Sequence, residues 1–215
     1  MGFMESISMS ESSIRSKDPM NVRIKVNPEN KMWVSTFERY PIVRDVLESL
    51  EREADGRRVV TRNVIFEEKN TDRKVILVLL WAYPRGIRNR TNLLNAIGSA
   101  LEIAKKGIGG KMDEELFKVL SRNPGIGLAT LSKLLYFLEY TLDGDRAMIL
   151  DRNVRTALSD YPQFEDVARH RAGSYAEYSS YVRTIGEISR QMKDVTPDQL
   201  EFFLFERGKE KNAAR

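Results

Sequence analysis

The run Asn123-Pro124-Gly125-Ile126-Gly127 places two glycines in a turn between two helical patterns. Because glycine lacks a Cβ atom, this turn can adopt positive φ, and its backbone can come close to a ligand. The first N–H groups of the next helix have no partner within that helix, and the positive end of the helix dipole lies behind them. The pattern is typical of a backbone that grips a phosphate, and it also suits a plain helix–helix turn.

A second group that could do chemistry is the carboxylate of Asp151. It follows the apolar run 147–150 and precedes a helical pattern that begins near Asn153. A carboxylate in that position can stabilise positive charge in a reacting sugar or activate an attacking nucleophile. Its alternative role is the N-cap of the helix, and the two roles are compatible. Asp143 and Asp145 belong to an Asp-Gly-Asp turn signal, so we interpret them as turn formers.

The glycine turn and the spaced aspartate together resemble the helix-hairpin-helix DNA glycosylases, and among these the 8-oxoguanine glycosylases. The matching residues are Pro124, Gly125, Ile126, Gly127 and Asp151. The resemblance covers 112–158 and extends more weakly from position 74 to the last helix. It implies an all-α fold of two closely packed helical subdomains with a cleft between them. It also implies that the chain binds double-stranded DNA, extrudes a damaged purine, with 8-oxoguanine the first candidate, and cleaves its N-glycosidic bond with the help of Asp151.

The hairpin departs from the family pattern at one position. Members that also cut the strand carry a nucleophilic lysine two residues after the last hairpin glycine, where this chain has Ala129. Lys133 lies one helical turn further along on nearly the same face, so its amine is a candidate for a displaced nucleophile and AP lyase activity. The alternative is an ordinary exposed lysine on an amphipathic helix. The run 129–135 also resembles that of bacterial and archaeal proteins with an 8-oxoguanine-glycosylase-like fold.

The last helical pattern supplies candidates for binding the base. An extruded base is held by aromatic stacking and by hydrogen bonds to its pairing edge. The run Glu201-Phe202-Phe203-Leu204-Phe205 resembles the C-terminal helix of 8-oxoguanine glycosylases, which implies that Phe205 stacks on the base and Glu201 reads its edge. The alternative is that the three phenylalanines are core residues.

Basic residues of the segment 85–111 complete the expected DNA interface. Glu102 is the only acidic residue of this segment, whereas the formal net charge of the whole chain is only +4. Such side chains neutralise phosphates, which makes binding weaken with salt; the alternative is a solvated helix face. The residues expected to contact DNA are Arg85, Arg88, Arg90, Asn123, Gly125, Ile126 and Gly127.

The composition excludes several kinds of site. The chain has no cysteine, which excludes disulfides and cysteine-ligated zinc or iron–sulfur clusters, and His170 is its only histidine. We therefore expect no metal site and no required cofactor, although the resemblance allows a monovalent cation at the hairpin carbonyls. No apolar run reaches the length of a membrane span, and no signal peptide is evident. The expectation is a monomeric cytoplasmic protein associated with the nucleoid.

The elements that position these residues are predicted to be almost entirely helical. Residues 1–20 are interpreted as a flexible arm, and 21–215 as a helical domain with the hairpin motif at 112–140 and the catalytic loop at 141–152. An extended piece is expected near 20–26, and 57–67 is undecided. Asp72 is the expected cap of its helix, and Gly208 is expected to end the last one. Helices are predicted over 33–40, 42–54, 72–81, 89–106, 112–121, 128–140, 153–159, 175–192 and 197–207.

Two other function classes fit the same sequence. One is a catalytically silent DNA-binding or lesion-sensing module of the same fold, which Ala129 favours and Asp151 disfavours. It would bind a lesion without turnover. The other is a helical interaction protein whose hairpin contacts protein, for which binding would be insensitive to salt.

Overall fold

The computed structural model describes residues 11–87 and 89–214. Helices dominate, and the predicted all-α fold is confirmed. The helices are α1 (Glu11–Arg15), α2 (Lys31–Val34), α3 (Pro41–Ser49), α4 (Arg62–Glu67), α5 (Thr71–Ala82), α6 (Arg90–Ala104), α7 (Glu114–Ser121), α8 (Leu128–Phe137), α9 (Arg152–Leu158), α10 (Glu165–Arg169), α11 (Tyr175–Gln191) and α12 (Pro197–Ala213), with a 3-10 turn at Pro162–Phe164.

Short strands join the helices at two places. β1 (Ile24–Val26) pairs antiparallel with β2 (Arg58–Val60), which, with α4, resolves the undecided segment 57–67. β3 (Gly110–Lys111), β4 (Tyr140–Leu142) and β5 (Asp145–Arg146) form a second small sheet. The interpretation of 141–152 as a plain loop therefore missed a β-hairpin. Its turn is the predicted one, because Asp143 and Gly144 both have positive φ, at 49° and 93°, as tight hairpins require.

The central element of the core is α5. Every residue from Val75 to Leu80 is buried, and the helix packs against α3, α4, α6 and α8. Periodicity alone could not separate a buried helix from a buried strand here, since all faces are apolar. The expected cap is wrong: the side chain of Asn70, and not that of Asp72, accepts a hydrogen bond from the N–H of Arg73 at 3.0 Å.

The last helix does not end at Gly208. α12 continues to Ala213, and Gly208 is buried against the first turn of α9. A Cβ atom at this position would lie 1.7 Å from the carbonyl oxygen of Asn153. The glycine therefore serves close packing of two helices, and the prediction that it terminates the helix was wrong. Its position brings α12 against the start of α9, directly after Asp151.

Part of the expected flexible arm is docked. Ile14 of α1 is fully buried, and the side-chain amide of Gln199 donates a hydrogen bond to the carbonyl oxygen of Arg15 at 3.0 Å. Lys17 forms an ion pair with Glu206. These contacts fasten 11–17 to α12, which differs from the expectation for this part of the arm; residues 1–10 lie outside the described residues. Within the described ranges, no helix combines the length and apolarity needed to cross a membrane.

Candidate active site and DNA interface

Asp151 is the N-cap of α9. Its Oδ1 accepts hydrogen bonds from the backbone N–H groups of Asn153 at 2.9 Å and Val154 at 3.1 Å. Its Oδ2 lies 3.3 Å from the Nζ atom of Lys133. One oxygen thus fixes the side chain to the helix, while the other faces an amine. The geometry is compatible with both roles that the sequence left open for this residue.

Lys133 is not the ordinary exposed lysine of the alternative interpretation. Its side chain is only 10% exposed, on α8, and its amine lies 6.0 Å from the centre of the Trp81 ring. The partner carboxylate of Asp151 is 14% exposed. The fold therefore brings the two predicted catalytic residues together in a partly buried ion pair. Their catalytic role remains a prediction.

Three hydroxyl groups hold the segment that leads to Asp151. The Tyr178 and Tyr181 hydroxyls each donate a hydrogen bond of 2.9 Å, to the carbonyl oxygens of Met148 and Ile149 respectively. The Ser132 hydroxyl accepts one from the N–H of Leu150 at 3.1 Å. Burial raises the pKa of both tyrosines, so both remain neutral donors. The sequence predicted the helix over 175–192 that carries these tyrosines but did not indicate that they position the aspartate.

A cavity of about 290 Å³ opens beside the ion pair. It contains both predicted catalytic residues and both predicted base-binding residues. The lining residues are Val22, Ile24, Arg62, Trp81, Ala82, Pro84, Lys133, Asp151, Asn153, Glu201, Phe202 and Phe205. Phe202 and Phe205 lie nearly parallel, with ring centres 6.1 Å apart, whereas Phe203 is 3% exposed. Of the three phenylalanines, only Phe203 is a buried core residue.

Glu201 is completely buried at this cavity. Its Oε2 accepts a hydrogen bond of 2.7 Å from Nη2 of Arg62, while its Oε1 has no hydrogen-bond partner among the described residues. Burial raises the pKa of Glu201 to about 7, against the opposing effect of the Arg62 charge. Glu201 was predicted as a base-binding residue. Arg62, which is 139 residues away in the chain, was not predicted as its partner.

The glycine turn is packed on α6. Gly125 has φ of +78°, and a Cβ atom there would lie 2.8 Å from backbone atoms of Asn92 and Ala96. The Ser99 hydroxyl donates to the carbonyl oxygen of Pro124 at 2.9 Å. Gly125 therefore must be glycine for reasons internal to the fold.

Gly127 differs from Gly125. Its φ of −90° and ψ of 172° suit any residue, so the prediction of positive φ fails here. It is the N-cap of α8, provides no side-chain cap, and has no described atom within 4 Å of the place where a Cβ would stand. The exposed space in front of this helix start is available for an external ligand.

The side chains of Asn123 and Ile126 both make contacts within the fold. The Asn123 side-chain amide donates to the carbonyl oxygen of Leu120 at 3.0 Å, which satisfies the end of α7. Ile126 is 5% exposed and packs in the core. That side chain therefore anchors the hairpin, and contact of Ile126 with DNA stays a prediction.

Comparison with known protein families finds a match. A family model described as "Putative 8-oxoguanine DNA glycosylase OGG-like protein" matches residues 18–205. The chain belongs to this family. No curated protein and no solved structure matched the chain.

In this member of the 8-oxoguanine-glycosylase-like family, the predicted DNA-binding arginines that the structure describes lie at the surface. Arg85 and Arg90 are exposed, and the Arg90 guanidinium donates to the carbonyl oxygen of Ser35 at 3.0 Å. Arg90 opens α6, the helix on which the glycine turn packs, and the exposed Arg122 directly precedes the turn. Arg88 lies outside the described residues. Arg122 was not among the predicted DNA contacts, although its position directly before the glycine turn could have indicated one.

The hairpin carbonyls of this OGG-like chain already have partners. The carbonyl oxygen of Asn123 accepts the N–H of Ile126 at 3.2 Å, and that of Pro124 accepts the Ser99 hydroxyl. Each carbonyl oxygen retains a second lone pair that a monovalent cation could use. The cation at this hairpin stays a prediction.

Proposed function

We propose that the chain is a DNA N-glycosylase that removes a damaged purine, with 8-oxoguanine the first candidate, from double-stranded DNA. Asp151 is the carboxylate of the reaction and Lys133 its amine nucleophile, which gives AP lyase activity in addition. We further propose that it acts as a monomer, without a required cofactor, in the cytoplasm at the nucleoid.

The observation that carries this proposal is the ion pair of Lys133 and Asp151 at the wall of an aromatic cavity. The two groups are 3.3 Å apart, and the cavity is lined by Trp81, Phe202 and Phe205. An amine for attack, a carboxylate for charge stabilisation and aromatic faces for a flat ring are the three requirements of base excision by a lysine. They converge in one place.

In the first step, the neutral amine of Lys133 attacks C1′ of the deoxyribose. A C1′–N bond forms as the bond from C1′ to the base breaks, and the base leaves with that electron pair and takes up a proton. The transition state carries positive charge on the sugar, which the Asp151 carboxylate stabilises at close range. Loss of the ammonium proton of Lys133 to solvent before the attack frees the amine and leaves the Asp151 carboxylate charged.

In the second step, the nitrogen on C1′ loses a proton, the C1′–O4′ bond breaks and O4′ takes up a proton, which leaves a protonated Schiff base on Lys133. Loss of a proton from C2′ then expels the 3′ phosphate and cuts the strand. The helix-start position of Asp151 leaves Oδ2 available throughout, because Oδ1 is held by two backbone N–H groups.

The DNA strand is held by the backbone at the start of α8. The space in front of Gly127 and the uncapped N–H groups behind it suit a phosphate oxygen. Arg85, Arg90 and Arg122 supply nearby positive charge that a duplex would neutralise. The base, once extruded, enters the cavity between Trp81 and the α12 phenylalanines.

The test is incubation with labelled duplexes that carry 8-oxoguanine, uracil, hypoxanthine or an alkylated purine, read before and after hot alkali. Wild-type protein should cut the 8-oxoguanine strand without alkali. Lys133→Ala should lose that cleavage, and Asp151→Asn should lose base release. Lys118→Ala, which removes an exposed lysine paired with Glu114, should behave as wild type.

Two outcomes would contradict parts of the proposal. Cleavage seen only after alkali would indicate that water, directed by Asp151, replaces the lysine as nucleophile. Salt-sensitive binding without base release from any of these duplexes would exclude catalysis and leave the binding module that Ala129 suggested.

A further inference from the structure

Three buried polar atoms of the cavity lining lack partners. Nε of Arg62, Oε1 of Glu201 and the indole N–H of Trp81 have no hydrogen-bond partner among the described residues. Leaving such groups unpaired costs free energy, and native proteins rarely tolerate it away from functional sites. All three belong to side chains that line the same cavity, so a bound molecule is the natural source of partners for Glu201 and Trp81.

Arg62 explains why Oε1 and not Oε2 is the unpaired oxygen. Arg62 is 2% exposed on α4, and its Nη2 donates to Oε2 of Glu201 at 2.7 Å. Its Nη1 donates to the hydroxyl of Tyr136 at 3.2 Å, and that hydroxyl donates to Asp198. The guanidinium carbon lies 5.5 Å from the centre of the Trp81 ring. The arginine is therefore fixed on several sides before any ligand arrives.

We propose that Arg62 is the positioning residue of the base pocket: it binds Oε2 of Glu201 and thereby leaves Oε1 as a fixed acceptor for N–H groups of the extruded base. This inference rests on the proposed function. A rigid acceptor that is already desolvated discriminates strongly between a ring nitrogen that carries hydrogen and one that does not.

The substrate class follows from this acceptor. A guanine-type base presents adjacent N–H donors at N1 and N2, and both can converge on Oε1. An adenine-type base presents a bare N1, whose lone pair would face the carboxylate oxygen. The pocket should therefore prefer 8-oxoguanine over 8-oxoadenine, although the two share the oxidised five-membered ring.

The preference should depend on pH, because protonated Glu201 would offer a donor in place of the acceptor. Burial raises the pKa of this carboxyl to about 7, and the Arg62 charge opposes that rise. The other ionisable groups that interact with it are Tyr136 on α8, Tyr181 on α11, Asp151 and Asp198. The two aspartates raise the pKa of Glu201, and the charge of Glu201 raises the pKa of both tyrosines. Loss of the Arg62 charge should therefore move the transition to higher pH.

The experiment measures equilibrium binding to two duplexes across pH. One carries 8-oxoguanine on a sugar fluorinated at C2′ to prevent cleavage, and the other carries a tetrahydrofuran abasic site. The ratio of the two affinities reports recognition of the base separately from binding of the DNA strand. The variants are Arg62→Gln, Arg62→Lys and Glu201→Gln, with Arg57→Met as the control for loss of an exposed arginine.

Arg62→Gln should lower the preference for 8-oxoguanine about tenfold, the value of one well-formed hydrogen bond, and move its pH midpoint upward, with unchanged affinity for the abasic duplex. Compared with Arg62→Gln, Arg62→Lys should keep more of the preference for 8-oxoguanine and should shift the pH midpoint less. Glu201→Gln, which keeps Arg62, should abolish the pH dependence near 7 altogether. In the Glu201→Gln background, Arg62→Gln should have little further effect, because it acts through Glu201.

Three results would overturn the inference. They are an unchanged preference and pH midpoint in Arg62→Gln, an equal loss of affinity for both duplexes, and a pH dependence that survives Glu201→Gln. A failure of the proposed function looks different, since wild-type protein would then show no preference for a damaged base at any pH.

Discussion

At the scale of single residues, Asp151 has two duties that one substitution can separate. Asparagine caps helices about as well as aspartate, so Asp151→Asn should keep the hydrogen bonds to Asn153 and Val154. It removes the negative charge beside the sugar. Base release should fall at least about a hundredfold, as expected for loss of a positioned carboxylate, and thermal stability should fall because the partly buried Lys133 loses its ion-pair partner.

The companion variant is Asp151→Ala, which loses the cap as well and should be about 1 kcal/mol less stable than Asp151→Asn. Single-turnover base release and thermal unfolding of both variants give the comparison. If Asp151→Asn released the base at the wild-type rate, the carboxylate would have no catalytic role.

The tyrosines that hold the segment before Asp151 give a second prediction. Tyr181→Phe leaves the carbonyl oxygen of Ile149 buried without its donor, which should cost about 1–3 kcal/mol of stability. It should also slow base release more than it weakens DNA binding, because it makes the position of the Asp151 carboxylate less fixed and leaves the hairpin that binds the strand unchanged. Tyr175→Phe, whose hydroxyl contacts Met112 at 3.4 Å, is the matched control. Equal effects of both variants on base release would contradict the positioning role.

Some residues of the candidate site were predictable from the sequence and others were not. The pairing of Lys133 with Asp151 was predictable, because a one-turn displacement on a helix keeps a side chain on the same face. Arg62 was not predictable, because it comes from a mixed segment and meets Glu201 only through the tertiary fold. The burial of Ile126 was not predicted either, because a side chain within a binding motif can also anchor that motif in the core.

At the scale of elements, the two hairpin glycines should respond oppositely to substitution. Gly127→Ser supplies a good N-cap at allowed φ and ψ, so stability should stay unchanged or rise. The new side chain would occupy the space and the N–H groups intended for the phosphate, so affinity for duplex DNA should fall about tenfold or more.

Gly125→Ala is the contrasting variant. It places a Cβ atom 2.8 Å from the backbone of α6 at positive φ and should cost about 1–3 kcal/mol of stability. Thermal unfolding and fluorescence anisotropy on an undamaged duplex measure both variants. Unchanged DNA affinity in Gly127→Ser would show that the start of α8 does not hold the phosphate.

The contact of α12 with α9 is a third element-scale feature. Gly208→Ala would force a methyl group against the carbonyl oxygen of Asn153, so the helices must separate at a cost of about 1–3 kcal/mol. That separation moves Asp151 relative to Glu201, and base release should fall with stability. Lys209→Ala, at the exposed neighbouring position, should change neither, and chemical denaturation with base-release assays would show this. Wild-type stability of Gly208→Ala would contradict the close packing.

Element boundaries show where local sequence signals were insufficient. The cores of α6, α7, α8, α9 and α11 were predicted, since their apolar stripes repeat at helical spacing. The strands β4 and β5 were missed, because two-residue and three-residue strands are fixed by pairing and leave no periodic pattern. Gly208 was predicted to end its helix. In the sequence alone, a glycine that terminates a helix cannot be distinguished from one that allows close packing against another helix.

At the scale of the whole molecule, the fold joins a strand-gripping turn to a cavity through one helix. α8 begins at Leu128, directly after its N-cap Gly127, and carries Lys133 in its second turn, while the segment before α9 brings Asp151 to the same amine. Residues from β1 to α12 line the cavity, so its walls come from both ends of the chain. This architecture predicts that gripping the strand and placing the sugar at the nucleophile are coupled.

The most direct test of this account is borohydride trapping on a duplex that contains 8-oxoguanine, followed by mass spectrometry of the cross-linked peptide. We predict a covalent adduct on Lys133. Lys133→Arg, which retains a cation beside Asp151 but no nucleophilic amine, should form none. An adduct on another lysine, or an undiminished adduct in Lys133→Arg, would contradict the central claim that the Lys133–Asp151 pair performs the reaction.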